Sequence, residues 1–250
     1  MSGRSDRPVK TAKRPAGSAG RPGSKAVAAM SRRPRISGNL MLTLGVIVVT
    51  LGILATAVIY ASNRGSGSAA DKAAMVVRPD SHRLNTAADG KVTLVEFLDF
   101  ECEACGAAFP GVEKLRKEYD GRITYVIRYF PIQSHSNANN AALAVQAAAN
   151  QGKLEQMYVK MYETQKQWAE QQASKASVFE GFASELGLDM ATFKADVASS
   201  ETQKRVDSDQ QDGVALGVQG TPTFFLNGKK LEGQPTYEGL KAAVDTALAG

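Results

Sequence analysis

The chain has few of the residues that usually hold metals and crosslinks. Its 250 residues include two cysteines, two histidines and one tryptophan. A zinc site takes four ligands. Cys102, Cys105, His82 and His135 are the whole thiol and imidazole supply, and neither histidine lies near the cysteines or at finger spacing. No metal is therefore assigned. Acids are scarce at the start. Residues 1–38 hold ten of the 30 Lys and Arg residues but only Asp6 of the 25 Asp and Glu residues. Charge is absent altogether from "NLMLTLGVIVVTLGILATAVIYA", residues 39–61, and proline is absent from residue 137 to about 218.

Each absence points somewhere. The first 38 residues are basic, rich in Gly, Ser, Ala and Pro, and nearly free of large apolar side chains, so they are expected to be a disordered tail. With the tail set aside, 20 basic and 24 acidic groups remain. The net charge of +5 thus belongs to the tail, and no nucleic-acid partner is expected for the body. The uncharged segment 39–61 is long enough to cross a hydrocarbon layer of about 30 Å as a helix. Basic residues crowd its N-terminal side, which places the tail in the cytoplasm and the body outside the cell membrane. A cleaved signal fits less well, because the apolar run is long and Ile59 stands where a small residue is wanted. A twin-arginine route fits poorly, because Arg35 replaces a large apolar residue. Residues 62–74 read as a short flexible linker.

From residue 75 the pattern becomes globular. "MVVR" reads as a short strand, "KVTLVEFLDF" (91–100) as a buried strand and "RITYVIRYFPI" (122–132) as another. A helical pattern runs through Phe109, Val112, Leu115 and Tyr119 between the last two. The proline-free stretch 137–218 predicts four or five helices. Leu154, Met157, Tyr158, Met161 and Tyr162 share one face, and Asp189 predicts an N-cap. Ser177 with Glu180 and Ser200 with Gln203 have capping-box spacing. Asn227-Gly228 predicts a hairpin, and a last helix is expected over 237–248. The order strand, helix, strand, helical block, hairpin, helix is an α/β domain over 75–250 with a helical insertion.

The two cysteines sit where a central strand hands over to a helix. A structural staple closing so small a loop would stabilise weakly. Redox chemistry is the stronger reading. A thiol at a helix N-terminus faces unsatisfied N–H groups and the positive end of the dipole, and both favour the thiolate. Cys102 is the expected nucleophile and Cys105 the resolving thiol. A location outside the cytoplasm suits such a couple.

"VEFLDFECEAC", "RYFPI" and "GVQGTPTFFLNG" resemble, in order and spacing, the DsbA-type thiol-disulfide oxidoreductases of the thioredoxin superfamily, in their membrane-anchored bacterial branch. The resemblance covers residues 75–250 and implies a thioredoxin fold with a helical insertion. It implies that Glu96 is a buried acid serving the cysteines, that Pro110 is the proline of the active-site helix, and that Thr221-Pro222 is a cis-proline loop that binds substrate. It also implies cysteine-containing exported proteins as substrates, a membrane redox partner that reoxidises the pair, and no bound cofactor. One departure concerns tuning. Glu103 and Ala104 stand between the cysteines where strong oxidants of the family have Pro-His. An anion at about 7 Å and an effective dielectric near 40 opposes the thiolate by roughly 1.2 kcal/mol, about one pKa unit. The helix terminus offers about 0.5–2 kcal/mol in the other sense. Cys102 is therefore expected to be less acidic than in a Pro-His enzyme.

Other polar residues read as structural. His135 is expected to be solvated or capping, Trp168 and Tyr162 to be helical core, and Asp99 and Glu101 to be acids ahead of a helix. The leading reading is an oxidase of exported proteins. Its rivals are a reductase or isomerase of the same fold and a non-enzymatic binding protein.

Overall fold

The strand and helix periods place most elements where side-chain chemistry demands them. The computed structural model describes residues 45–56, 58 and 69–250. By internal packing the chain divides into Met1–Tyr60 and Ala61–Gly250. In the first unit residues 45–56 and 58 are helical with exposed side chains. Among the described residues no helix is long and apolar enough to cross a membrane. The basic tail and the rest of the expected span lie outside them.

The second unit begins with α1 (Ala69–Val76), β1 (His82–Asn85) and β2 (Thr93–Leu98). α2 (Glu103–Glu118) crosses to β3 (Thr124–Tyr129). Five helices follow: α3 (Ala138–Asn150), α4 (Leu154–Trp168), α5 (Ala176–Glu185), α6 (Met190–Val197) and α7 (Ser200–Ala215). β4 (Thr223–Leu226), β5 (Lys229–Lys230) and α8 (Tyr237–Ala249) complete the unit. The sheet order is β1-β3-β2-β4-β5. β2 and β3 are parallel, which the α2 crossover permits, and the other pairs are antiparallel.

Alternation along β2 sorts its side chains onto two faces. Leu94 and Leu98 join the large core built with α2, α8 and the inserted helices. Val95 and Phe97 join a smaller cluster with Val76, Phe130 and Phe225. Both faces are covered, so β2 and β3 read as nearly continuous apolar runs. On the smaller face lies Arg128, fully buried on β3. It donates to Asp209 at 2.5 Å, to Asp212 at 2.6 Å and to the carbonyls of Met75 and Val76. Arg78 also pairs with Asp212, and Arg205 with Asp209. This ionic cluster ties α1 and α7 to the sheet.

It also explains two corrections. The strand expected at Met75 is the end of α1, because Arg128 binds its last carbonyls and Val76 packs into the smaller core. Residues 69–74 of the expected linker belong to the same helix. β1 was not foreseen, since "HRLN" has only one apolar residue. Asp189 caps α6 by accepting from the Thr192 N–H. Ser177 caps nothing: α5 begins at Ala176 and puts Ser177 inside its first turn. α7 is capped one residue earlier than expected, by Ser199, which accepts from the Thr202 N–H. The hairpin turns at Asn227 and Gly228, both at positive φ, as a two-residue turn of this hand requires.

Candidate active site

The end of β2 delivers a short loop whose backbone would be left without partners unless side chains supplied them. Buried acids do so. Asp99 Oδ1 accepts from the Glu101 N–H at 2.8 Å, and its Oδ2 takes the Ile132 N–H at 3.0 Å and His135 Nδ1 at 2.7 Å. Glu101 accepts from the N–H groups of Asn137 and Glu170. Asp99 and Glu101 are thus more than acids ahead of a helix. They tie the dithiol loop to the β3–α3 connection and to the end of α4. His135, partly exposed as expected, is also the partner of Asp99. Burial raises the pKa of Asp99, and its hydrogen bonds oppose that.

The insertion grips the same loop. Gln165 of α4 donates to the carbonyls of Phe100 and Cys102, both at 2.8 Å. A Cβ on Gly106 would stand 1.9 Å from Gln165 Oε1, so the glycine after Cys105 makes room for this clamp. Phe100, Phe109, Tyr158 and Tyr162 pack ring against ring beneath it, with Phe109 and Tyr162 stacked at 5.1 Å. Trp168 and Tyr162 are buried, as core residues are.

Cys102 is the N-cap of α2, and Cys105 lies one turn in. Both are free thiols, Cys102 8% and Cys105 1% exposed. The Cys102 pKa falls to about 5. A hydrogen bond from the Cys105 thiol is the largest cause; burial opposes it; Thr221 and the N–H groups of Cys105 and Ala104 assist. Burial pushes the Cys105 thiol well above its ordinary value. The pair is split into a ready thiolate and a retained thiol.

Thr221–Pro222 is a cis peptide bond beside Cys102. The Thr221 carbonyl accepts from Cys102 Sγ at 3.3 Å, so it is not free while Cys102 is a thiol. The Thr221 hydroxyl is buried, and among the described residues it has no hydrogen-bond partner. On the same side a groove of about 480 Å³ runs past Ala104, Ala107, Ala108, Thr221, Pro222 and Tyr237.

Glu96 is buried on β2 and faces the larger core. Burial raises its pKa to about 8, and the hydroxyl of Tyr125, which donates to Glu96 Oε2, restrains the rise. Its charge acts on Cys105 and raises that thiol further. Glu103 is exposed, and its charge raises the pKa of Glu170. The thiolate gains from the Cys105 thiol, Thr221 and the first-turn N–H groups, which outweigh an exposed anion screened by water. Gln165, Asp99 and Tyr125 were not foreseen as parts of the site. The paired acids around "DFE" were the available signal for Asp99. Nothing in the local sequence marks the other two.

A five-stranded sheet with an inserted helical block, a dithiol at the N-terminus of the crossover helix and a cis-proline loop beside it define a dithiol domain of DsbA-like fold. The thioredoxin family model matches residues 85–246, and the chain belongs to that family. The fold is similar to a thioredoxin-like oxidoreductase of Silicibacter pomeroyi, 26% identical with a TM-score of 0.60, covering 72% of this chain and 98% of that one. It is also similar to oxidised BdbD of Bacillus subtilis, 19% identical with a TM-score of 0.60, over 68% and 94% of the two chains. A third similar fold is alpha-DsbA1 of Wolbachia pipientis, 16% identical with a TM-score of 0.63, over 71% and 96%. Among curated proteins the chain is 33% identical over 174 residues to a Na(+)/H(+) antiporter NhaA of Herminiimonas arsenicoxydans, covering 70% of this chain and 27% of that protein. It is 35% identical to an NhaA 1 of Salinispora arenicola, over 70% and 26%. The chain spans about a quarter of the length of these antiporters.

Proposed function

We propose that this chain is a membrane-anchored, extracytoplasmic oxidase that donates its Cys102–Cys105 disulfide to exported proteins. A substrate thiolate attacks Cys102 Sγ. The Cys102–Cys105 bond breaks, and Cys105 leaves with the electron pair and takes a proton from the Glu96 carboxyl. A second substrate thiolate then attacks the substrate sulfur of the mixed disulfide. A substrate disulfide forms and Cys102 leaves as a thiolate. Two electrons have passed from substrate to protein, and a membrane redox partner removes them. An extended substrate segment lies along the groove beside Ala104 and pairs with the Thr221 backbone, which reads little side-chain identity.

The observation that carries this reading is the split of the two thiols. A pKa of about 5 for Cys102 lies below the ordinary thiol value, so ionised Cys102 stabilises the reduced protein. That contribution is full above the ordinary thiol range and is lost as the pH falls through about 5. The disulfide form has no such contribution, so the couple is oxidising at neutral pH. The test is the reduction potential of the full chain equilibrated with glutathione. The expected value lies above about −180 mV, toward the about −120 mV of strong oxidants. A value near or below about −230 mV would make the protein a reductase. Unchanged biological activity of a Cys102→Ser/Cys105→Ser variant would make it a binding protein.

A further inference from the structure

Glu96 is a buried titratable group of the site, and its surroundings are unusual for a carboxyl. Three phenols stand around it. Tyr125 on β3 donates to Glu96 Oε2 and is fully buried. Tyr158 and Tyr162 on α4 are buried, and the Glu96 charge acts on both. From α2 come Cys102, Cys105, Glu113 and Arg116. The Arg116 guanidinium sits over the Tyr125 ring at 5.7 Å and pairs with Glu113 at 2.6 Å and Glu155 at 2.7 Å. Tyr125 is therefore fixed from both sides, by Glu96 at its hydroxyl and by Arg116 over its ring. Cross-strand register adds a reason: Leu94 pairs with Tyr125, two residues before Glu96 on the same face, which lets the phenol reach diagonally to the carboxyl.

We propose that Tyr125 is a positioning residue for proton exchange at Cys105, acting by holding the Glu96 carboxyl and stabilising its ionised form. The proposal rests on the role of Glu96 given above. In reoxidation, Cys105 attacks the mixed disulfide held on Cys102. Its proton passes to the Glu96 carboxylate, its sulfur bonds to Cys102 Sγ, and the departing thiolate carries the electron pair away. That direction needs Glu96 ionised, and a phenol O–H favours the ionised form, as a hydrogen bond to a charged acceptor does. Substrate oxidation needs the opposite state, a protonated Glu96. Burial alone would hold Glu96 protonated. Tyr125 brings the balance back to where both directions run.

The test uses the full chain in detergent with thionitrobenzoate attached to Cys102. Release of thionitrobenzoate reports attack by Cys105, and opening of the native disulfide by a cysteine-containing peptide reports the reverse proton transfer. In the native protein, release rises with pH through the Glu96 titration, and Glu96→Gln removes that rise. Tyr125→Phe is expected to move the rise up by about one pH unit, slowing release at neutral pH roughly tenfold without slowing disulfide opening. The Tyr125→Phe/Glu96→Gln double variant is expected to match Glu96→Gln alone. Equal slowing of both reactions, an unmoved midpoint, or a further loss in the double variant would overturn the proposal and leave Glu96 its role. A midpoint that survives Glu96→Gln would overturn the role of Glu96 itself. Thermal melting of each variant separates these outcomes from loss of folding.

Discussion

At the residue scale the site works by giving two chemically identical thiols opposite environments. Cys102 has first-turn N–H groups, the Cys105 thiol and Thr221 around it; for Cys105, burial, its bond to Cys102 and the nearby Glu96 charge outweigh a backbone hydrogen bond at Asp99. The consequence is measurable. Brief iodoacetamide treatment of the reduced protein, read by mass spectrometry, should alkylate Cys102 before Cys105. Only the thiolate reacts, so the rate should be flat above about pH 5 and fall about tenfold per unit below it. Glu103→Ala should leave that midpoint in place, because Glu103 is exposed and its charge is screened by water. A midpoint lowered by the substitution would restore the repulsion expected from the sequence. The residue scale is also where sequence reading reached furthest and failed most specifically. The spacing of Cys102 and Cys105 and the placement of Glu96 in an apolar strand were legible. The pairing of Glu103 with Glu170 was not, since spacing alone does not say which way a side chain points.

At the scale of elements, the buried ions on the far face of the sheet decide how α1 and α7 are held. Arg128 and Asp209 are fully buried, and the partners of Arg128 lie about 50 to 84 positions away. Removing one member of such a cluster leaves an uncompensated charge in a dry environment. Asp209→Ala should lower the unfolding free energy by about 3–5 kcal/mol, read from urea denaturation followed by circular dichroism. Glu185→Ala, which breaks the exposed Lys160–Glu185 pair, should cost about 0–1 kcal/mol in the same assay. Comparable effects would mean that water reaches Arg128. No sequence pattern forecast this cluster. Arg128 sits in a strand that reads as continuously apolar, and its acids lie on a helix whose exposed face carries similar residues.

At the scale of the whole molecule, charge is distributed along the chain in a way that bears on topology. The tail of residues 1–38 is basic, the segment 39–61 is uncharged, and the rest carries a small acidic excess. The proposed arrangement puts the N-terminus in the cytoplasm and the dithiol outside. Protease added to intact spheroplasts should then remove the domain that carries Cys102 and spare the tail. A protected domain would refute the topology and the proposed action on exported proteins. The dithiol chemistry measured on the isolated chain would still stand.

The sequence by itself determined the α/β class, the insertion and the location of the dithiol at a strand-to-helix junction. Those follow from local periodicity, turn chemistry and spacing, which are properties of neighbouring residues. Only the tertiary structure decided what surrounds the sulfurs. Gln165 reaches back about 60 residues to hold the Cys102 carbonyl, Tyr125 meets Glu96 across two strands, and Thr221 arrives 119 residues after Cys102. Such contacts depend on how layers pack, and no period in the chain encodes them. The acidity of Cys102 draws on its neighbours Cys105 and Ala104 but also on Thr221, and the proton affinity of Glu96 on burial and Tyr125, so both could be set only once the chain had folded.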